Sequence, residues 1–140
     1  MKVNIKTVNS QVLEYKTKWA VWFDFYSSED ISFEAKEFKL IETWTVIQTP
    51  KWYMLQLQPR SSTFKKFGLM QVNSVWIIDQ DYCWDEDTIK FPYINITEKK
   101  QFVPKWTRIW QWVFVKIEKA EFVIVDKMNW ENRGWFGSTG

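Results

Sequence analysis

The chain has 140 residues, long enough for one domain with a full core. Nineteen Lys and Arg against seventeen Asp and Glu leave a net charge of +2, too even a balance to suggest a nucleic-acid or membrane surface. The absence of His excludes Ser-His and Cys-His nucleophile pairs and every His-ligated metal; the lone cysteine, Cys83, excludes an internal disulfide and a Cys-rich zinc site.

Met1 to Lys18 lacks the apolar core of a signal peptide, and no 18-residue apolar run follows, so a soluble, cytoplasmic protein with no membrane partner is expected. Short β-rich stretches then recur at Val3–Ile5, Ile31–Ala35, Phe38–Ile47, Tyr53–Gln58, Leu69–Val72, Val75–Ile78, Ile89–Ile96, Thr107–Ile117 and Phe122–Val125. Period-2 alternation is clear at the end of Tyr53–Gln58, and again where Val113, Val115 and Ile117 alternate with Phe114, Lys116 and Glu118. No stretch keeps a helical stripe for three turns, so an all-β sandwich or barrel is expected over residues 1–126. Residues 127–140 are small, polar and glycine-containing, with no apolar pattern to fasten them to their own core. They read as a flexible arm, disordered or ordered by a ligand or neighbour.

Three stretches could carry chemistry. Pro59-Arg60-Ser61-Ser62 follows a strand and offers a guanidinium fork and two hydroxyls to an anion, though four such residues also make an ordinary surface turn. Asp79-Gln80-Asp81-Tyr82 closes the apolar run Val75–Ile78, where an acid could activate water or simply face solvent in a turn. Arg133, Gly134, Gly137, Ser138, Thr139 and Gly140 form a second phosphate-type grip around Phe136, or plain disorder. Two grips, one carboxylate and one aromatic plate together suggest a nucleotide site. Asn95-Ile96-Thr97 matches a glycosylation sequon and is taken as chance.

From about Lys18 to Gly140 the chain resembles the trimeric dUTP diphosphatases (dUTPases), with five motifs in that family's order. They are Ala20–Ser27, Pro59–Ser62 with Gly68 downstream, Asn73–Tyr82, Lys105–Gln111 and Arg133–Gly140, the third being the most specific. The resemblance implies a jelly-roll or β-clip subunit that exchanges its C-terminal arm in a homotrimer and hydrolyses dUTP to dUMP and pyrophosphate with Mg²⁺. It implies Asp79 as the general base, Asn73 and the backbone near Ile77 and Ile78 as readers of uracil, and Tyr82 as the packing under deoxyribose. Arg60, Ser61, Ser62 and Gln111 would hold phosphates, with Lys90 a further substrate contact. Asp24 would orient Mg²⁺ through water. Phe136 would cap the base, with Gly137 beside it, while Arg133, Ser138 and Thr139 grip the γ-phosphate. A dCTP deaminase of the same fold and a non-catalytic nucleotide-sensing protein of that fold are the alternatives.

Composition departs from this family in one respect. The chain has 11 Trp and 4 Gly, where about ten Gly (roughly 7%) would be usual. Trp22, Trp44, Trp52, Trp76, Trp84, Trp106 and Trp135 coincide with family glycines, and Trp19, Trp110, Trp112 and Trp130 sit where glycine would be unsurprising. Two readings follow: UGA codons that the source reads as glycine, or a Trp-rich paralogue without activity.

Overall fold

The computed structural model describes residues 1–8, 13–135 and 137. Its strands are β1 (Ile5–Thr7), β2 (Phe23–Tyr26), β3 (Ile31–Phe33), β4 (Phe38–Glu42), β5 (Thr45–Ile47) and β6 (Tyr53–Pro59). One short helix, α1 (Thr63–Phe67), precedes β7 (Leu69–Gln71), β8 (Trp76–Ile78), β9 (Lys90–Asn95), β10 (Gln101–Val103) and β11 (Arg108–Lys116). All strand pairings are antiparallel. The main sheet runs β2–β11–β6–β8 and a second runs β4–β9–β7, with the pairs β1–β5 and β3–β10 beside them.

Alternation builds the core. Along β6, Leu55 and Leu57 are fully buried, and on β11 Trp110 and Trp112 do the same. Phe91 of β9 stacks on Trp110 at 4.6 Å between ring centroids, which joins the two sheets face to face. Phe25 of β2 stacks on Trp112, also at 4.6 Å. These rings, with Tyr93, Leu69, Ile41 and Ile109, close a sandwich core of apolar side chains.

Several expected runs become strands of slightly different extent, and three elements were not anticipated: β2, β10 and α1. Phe38–Ile47 is not continuous, because Trp44 has φ of 54° and turns the chain between β4 and β5. Phe122–Val125 forms no strand; its four side chains are exposed, and an apolar segment without a neighbouring strand has nothing to pair its backbone. Helix α1 ends at Gly68, whose φ of 60° is the left-handed C-cap and whose added Cβ would strike the Thr97 methyl group. Asn95 is fully buried: its amide donates to the carbonyls of Glu34 and Lys99, and its Oδ1 accepts from Thr97. The sequon is thus a structural turn. No helix among the described residues is long and apolar enough to cross a membrane.

Candidate active site

Arg60 and Asp79, two charged centres expected of the site, lie at opposite ends of strand β6, with the Asn73 turn at the Arg60 end. The first cluster lies where β6 runs out into Pro59 and Arg60. The Arg60 N–H donates to the Ile109 carbonyl at 3.1 Å, and the Thr63 N–H donates back to the Arg60 carbonyl at 2.9 Å. Thr63 Oγ1 (2.9 Å) and the Tyr93 hydroxyl (3.2 Å) donate to the same Ile109 oxygen. Ile109 sits at an irregularity in the β2–β11 register, between Arg108 and Trp110, which frees its carbonyl for this use. The turn Arg60-Ser61-Ser62 is therefore held by its backbone, and the Ser62 side chain makes no capping bond to α1.

Asp24 fixes the guanidiniums of this cluster. It is nearly buried, and its carboxylate binds Arg60 Nη1 at 3.1 Å and Arg108 Nη1 at 2.9 Å. Gln111 stands directly opposite Asp24 in the β2–β11 register and opposite Gln58 in the β6–β11 register. Two arginines against one carboxylate leave one excess positive charge beside two serine hydroxyls, an arrangement suited to an anion. Arg108 lies within the motif Lys105–Gln111 but was given no role of its own, because its pairing with Asp24 arises only from register. A lone acid within the apolar run Phe23–Tyr26 was the available signal, since a buried carboxylate requires a cation.

This double ion pair also bears on magnesium. Among the described residues no group of three or more His, Cys, Asp and Glu could hold a metal ion. Both oxygens of Asp24 are engaged by arginines, and a cation beside it would meet two like charges. The geometry gives Asp24 the work of orienting Arg60 and Arg108.

The second cluster forms at the end of β8. Ile77, Ile78, Asp79, Tyr82 and Lys90, with Leu40, Trp76 and Ile89, line a pocket of about 300 Å³. Asp79 is exposed and makes no ion pair with any described residue, so its carboxylate is open to a proton donor. Tyr82 donates its hydroxyl to the Thr88 carbonyl at 3.2 Å, which anchors the ring beside the pocket. Lys90 pairs with Glu42 at 3.5 Å. Trp76, at a position where the family has glycine, is a wall of this pocket, and its Nε1 donates to the Val72 carbonyl at 3.2 Å. Asn73 occupies the preceding turn with φ of 65°, and Ser74 follows at 61°. The Gln71 amide, donating to the Ser74 carbonyl at 2.5 Å, clamps that turn.

Within one chain Asp79 does not reach Arg60, whereas the Asn73–Ser74 turn lies at the Arg60 end of β6, where Ser74 and Val75 line one cavity of about 410 Å³ with Gln58, Pro59 and Arg60. Ile78 pairs with Leu55 near the start of β6, while Arg60 follows its end. Six residues of extended chain at about 3.3 Å each separate Asp79 from Arg60 by about 20 Å. Arg133 and Gly137 lie in the exposed stretch after β11. Phe136, Ser138 and Thr139 lie outside the described residues.

Comparison with known proteins adds the family. The prophage-derived deoxyuridine 5'-triphosphate nucleotidohydrolase YosS of Bacillus subtilis is 33% identical over 142 residues, spanning 100% of this chain and 99% of the relative. The dUTPase of Staphylococcus bacteriophage 80alpha, solved with dUPNHPP, superposes with a TM-score of 0.87 at 21% identity over 99% of this chain and 98% of that one. A D95N mutant dUTPase of phage phi11 of S. aureus, described with a structural Mg(II) ion, has a TM-score of 0.81 at 17% identity over 93% and 100%. The dUTPase family model matches residues 8–140, which include every residue of both clusters and the arm, and the chain belongs to the dUTPase family.

Proposed function

We propose that this protein hydrolyses dUTP to dUMP and pyrophosphate, using a site assembled between copies of the chain in a homotrimer. The observation that carries the reading is the open Asp79 carboxylate at the rim of a pocket walled by Ile77, Ile78 and Tyr82. Water loses a proton to Asp79 as its oxygen attacks the α-phosphorus; the new P–O bond forms while the bond to the β-phosphate oxygen breaks, and pyrophosphate leaves. Such a reaction depends on positioning and charge neutralisation more than on a covalent nucleophile. A chain without His loses nothing essential by that route.

Asn73 and the backbone of Ile77 and Ile78 are assigned to the uracil edge, and the Tyr82 ring to the face of the deoxyribose, where a 2′-hydroxyl would collide. Arg60, Ser61, Ser62 and Gln111 take the phosphates, with Lys90 a supporting cation. Residues 127–140 form the arm of a neighbouring copy, bringing Arg133, Phe136, Gly137, Ser138 and Thr139 over the bound nucleotide. A Mg²⁺ ion, when bound, neutralises phosphate charge, and its natural ligands here are the triphosphate oxygens and water. The substrate places the enzyme in the cytoplasm, in the nucleotide pool, where it removes dUTP and supplies the dTMP precursor.

The test is pyrophosphate release from dUTP with Mg²⁺, with UTP, dCTP and dTTP as controls. D79N should lower kcat by about 10²–10⁴-fold with an unchanged melting temperature, since Asp79 is an exposed proton acceptor. Ammonia from dCTP would identify a deaminase instead. Tight dUTP binding without pyrophosphate release would identify a nucleotide sensor.

A further inference from the structure

Seven non-glycine residues among those described have positive φ, and three are tryptophan: Trp44 at 54°, Trp52 at 67° and Trp106 at 65°. Tryptophan is 11 of 140 residues, so an even scatter would put fewer than one among the seven. The described glycines Gly68, Gly134 and Gly137 occupy the same left-handed region. A bulky side chain there is an outlier, whereas glycine enters without steric cost.

Two of the three sites are the same turn. Pro50-Lys51-Trp52-Tyr53 and Pro104-Lys105-Trp106-Thr107 share the tripeptide Pro-Lys-Trp. In each, the fourth residue donates its N–H to the proline carbonyl, at 3.0 Å for Tyr53 and 3.2 Å for Thr107. Proline opening and positive φ at the third position describe a turn whose third residue is ordinarily glycine. Trp44 occupies a comparable reversal: its N–H and that of Thr43 both donate to the Glu42 carboxylate, at 3.1 and 3.0 Å. The indoles gain little in return, being 42%, 48% and 52% exposed at Trp44, Trp52 and Trp106. Lys36 shows that an L-residue can be forced into this region; Trp shares its Cβ methylene and adds the bulk of an indole beyond it.

A second observation is independent of dihedral angles. Trp110 and Trp112 are fully buried, and each leaves its indole N–H without a hydrogen-bond partner. Buried indoles usually find an acceptor. Trp19, Trp84 and Trp130 are the opposite case, 83%, 77% and 92% exposed. Eight of the tryptophans thus sit where glycine belongs, lie buried without a partner, or face solvent, whereas Trp76 is half-buried with its Nε1 bonded to the Val72 carbonyl.

We infer that the functional chain carries glycine at positions 44, 52 and 106, decoded from UGA codons that were read here as tryptophan. UGA differs from the tryptophan codon UGG only in its third base and from the glycine codon GGA only in its first, so either assignment takes a single change in decoding. The inference does not depend on the nucleotide reading, because neither backbone angle nor codon refers to catalysis.

The test begins at the gene. UGA is expected at codons 44, 52 and 106, with glycine at these positions in peptides of the protein purified from its own source and weighed by mass spectrometry. UGG codons, or peptides that retain tryptophan there, overturn the inference. Stability is the second readout. Against the chain as written, the triple variant W44G/W52G/W106G should raise Tm by roughly 2–8 °C per exchange, while W19G/W84G/W130G should give no gain. A triple variant at 44, 52 and 106 that melts at the same or a lower temperature shows that these turns accept tryptophan, and the inference fails whatever the enzyme's activity.

Discussion

Asp24 shows how one side chain sets the geometry of a whole cluster. Its carboxylate spans Arg60 and Arg108, so replacing it with the neutral amide of the same shape removes both charge-assisted bonds at once. Both arginines keep some contact with water, which limits the cost to about 1–3 kcal/mol in urea unfolding of D24N. With Arg60 holding the phosphates as proposed and Asp24 holding Arg60, D24N should raise KM for dUTP more than it lowers kcat. A KM that stays unchanged would reduce the ion pair to a purely structural role. Tyr93 gives a second prediction at this scale. Burial pushes its phenol well above the ordinary value of 10.0, the charged form being excluded from the core. A pKa raised by folding contributes stability below the unfolded pKa and loses it as pH rises beyond it. Melting temperature should therefore be insensitive to Tyr93 below about pH 10 and fall above it. In Y93F that alkaline fall should be shallower than in the parent, in melts between pH 8 and 11, and the loss at neutral pH should reflect the missing bond to Ile109.

Among the elements, the irregularity at Ile109 connects the fold to the phosphate turn. One carbonyl receives the Arg60 N–H, the Thr63 hydroxyl and the Tyr93 hydroxyl, tying β6, α1 and β9 to β11. T63V keeps the shape of a buried side chain but removes one of these donors. The carbonyl retains two others, so the expected cost is about 0.5–1.5 kcal/mol in urea unfolding, with a measurable rise in KM as the Arg60 turn loosens. This hub also marks the limit of what sequence discloses. Strands β6 and β11 were legible because their apolar residues alternate against a single core face. Strand β2 was not, because Phe23-Asp24-Phe25 is buried on both faces and its acid is compensated by Arg108, far away in sequence. Helix α1 is five residues long, too short to show a helical period. The pocket residues Ile77 to Tyr82 and the phosphate turn were legible as motifs. The role of Arg108 was not, since only cross-strand pairing brings it to Asp24, and the engagement of Asp24 by two arginines had no signature in sequence spacing.

At the scale of the molecule the question is why a single chain should separate its proposed base, Asp79, from its proposed phosphate turn, Arg60–Ser62. Asp79 and Arg60 lie about 20 Å apart along β6, further than one nucleotide's α-phosphate and its own phosphate grip can be. A ring of identical subunits solves this when one copy offers its Asp79 end to the Arg60 end of the next, a head-to-tail contact that closes by rotation. That arrangement makes a prediction which a site within one chain cannot share. D79N and R60A, each alone, should release almost no pyrophosphate from dUTP. When the two chains are co-expressed in equal amounts and assemble at random, half of the copies supply an intact Asp79 and half of their neighbours an intact Arg60. Mixed trimers should then recover about a quarter of the parent activity. Recovery requires that the two residues act from different copies, because no single chain in the mixture has both. If the mixed trimers, verified by differential tags, remain as inactive as either variant, both residues serve one site within one chain, and the 20 Å separation along β6 must close by a rearrangement on binding.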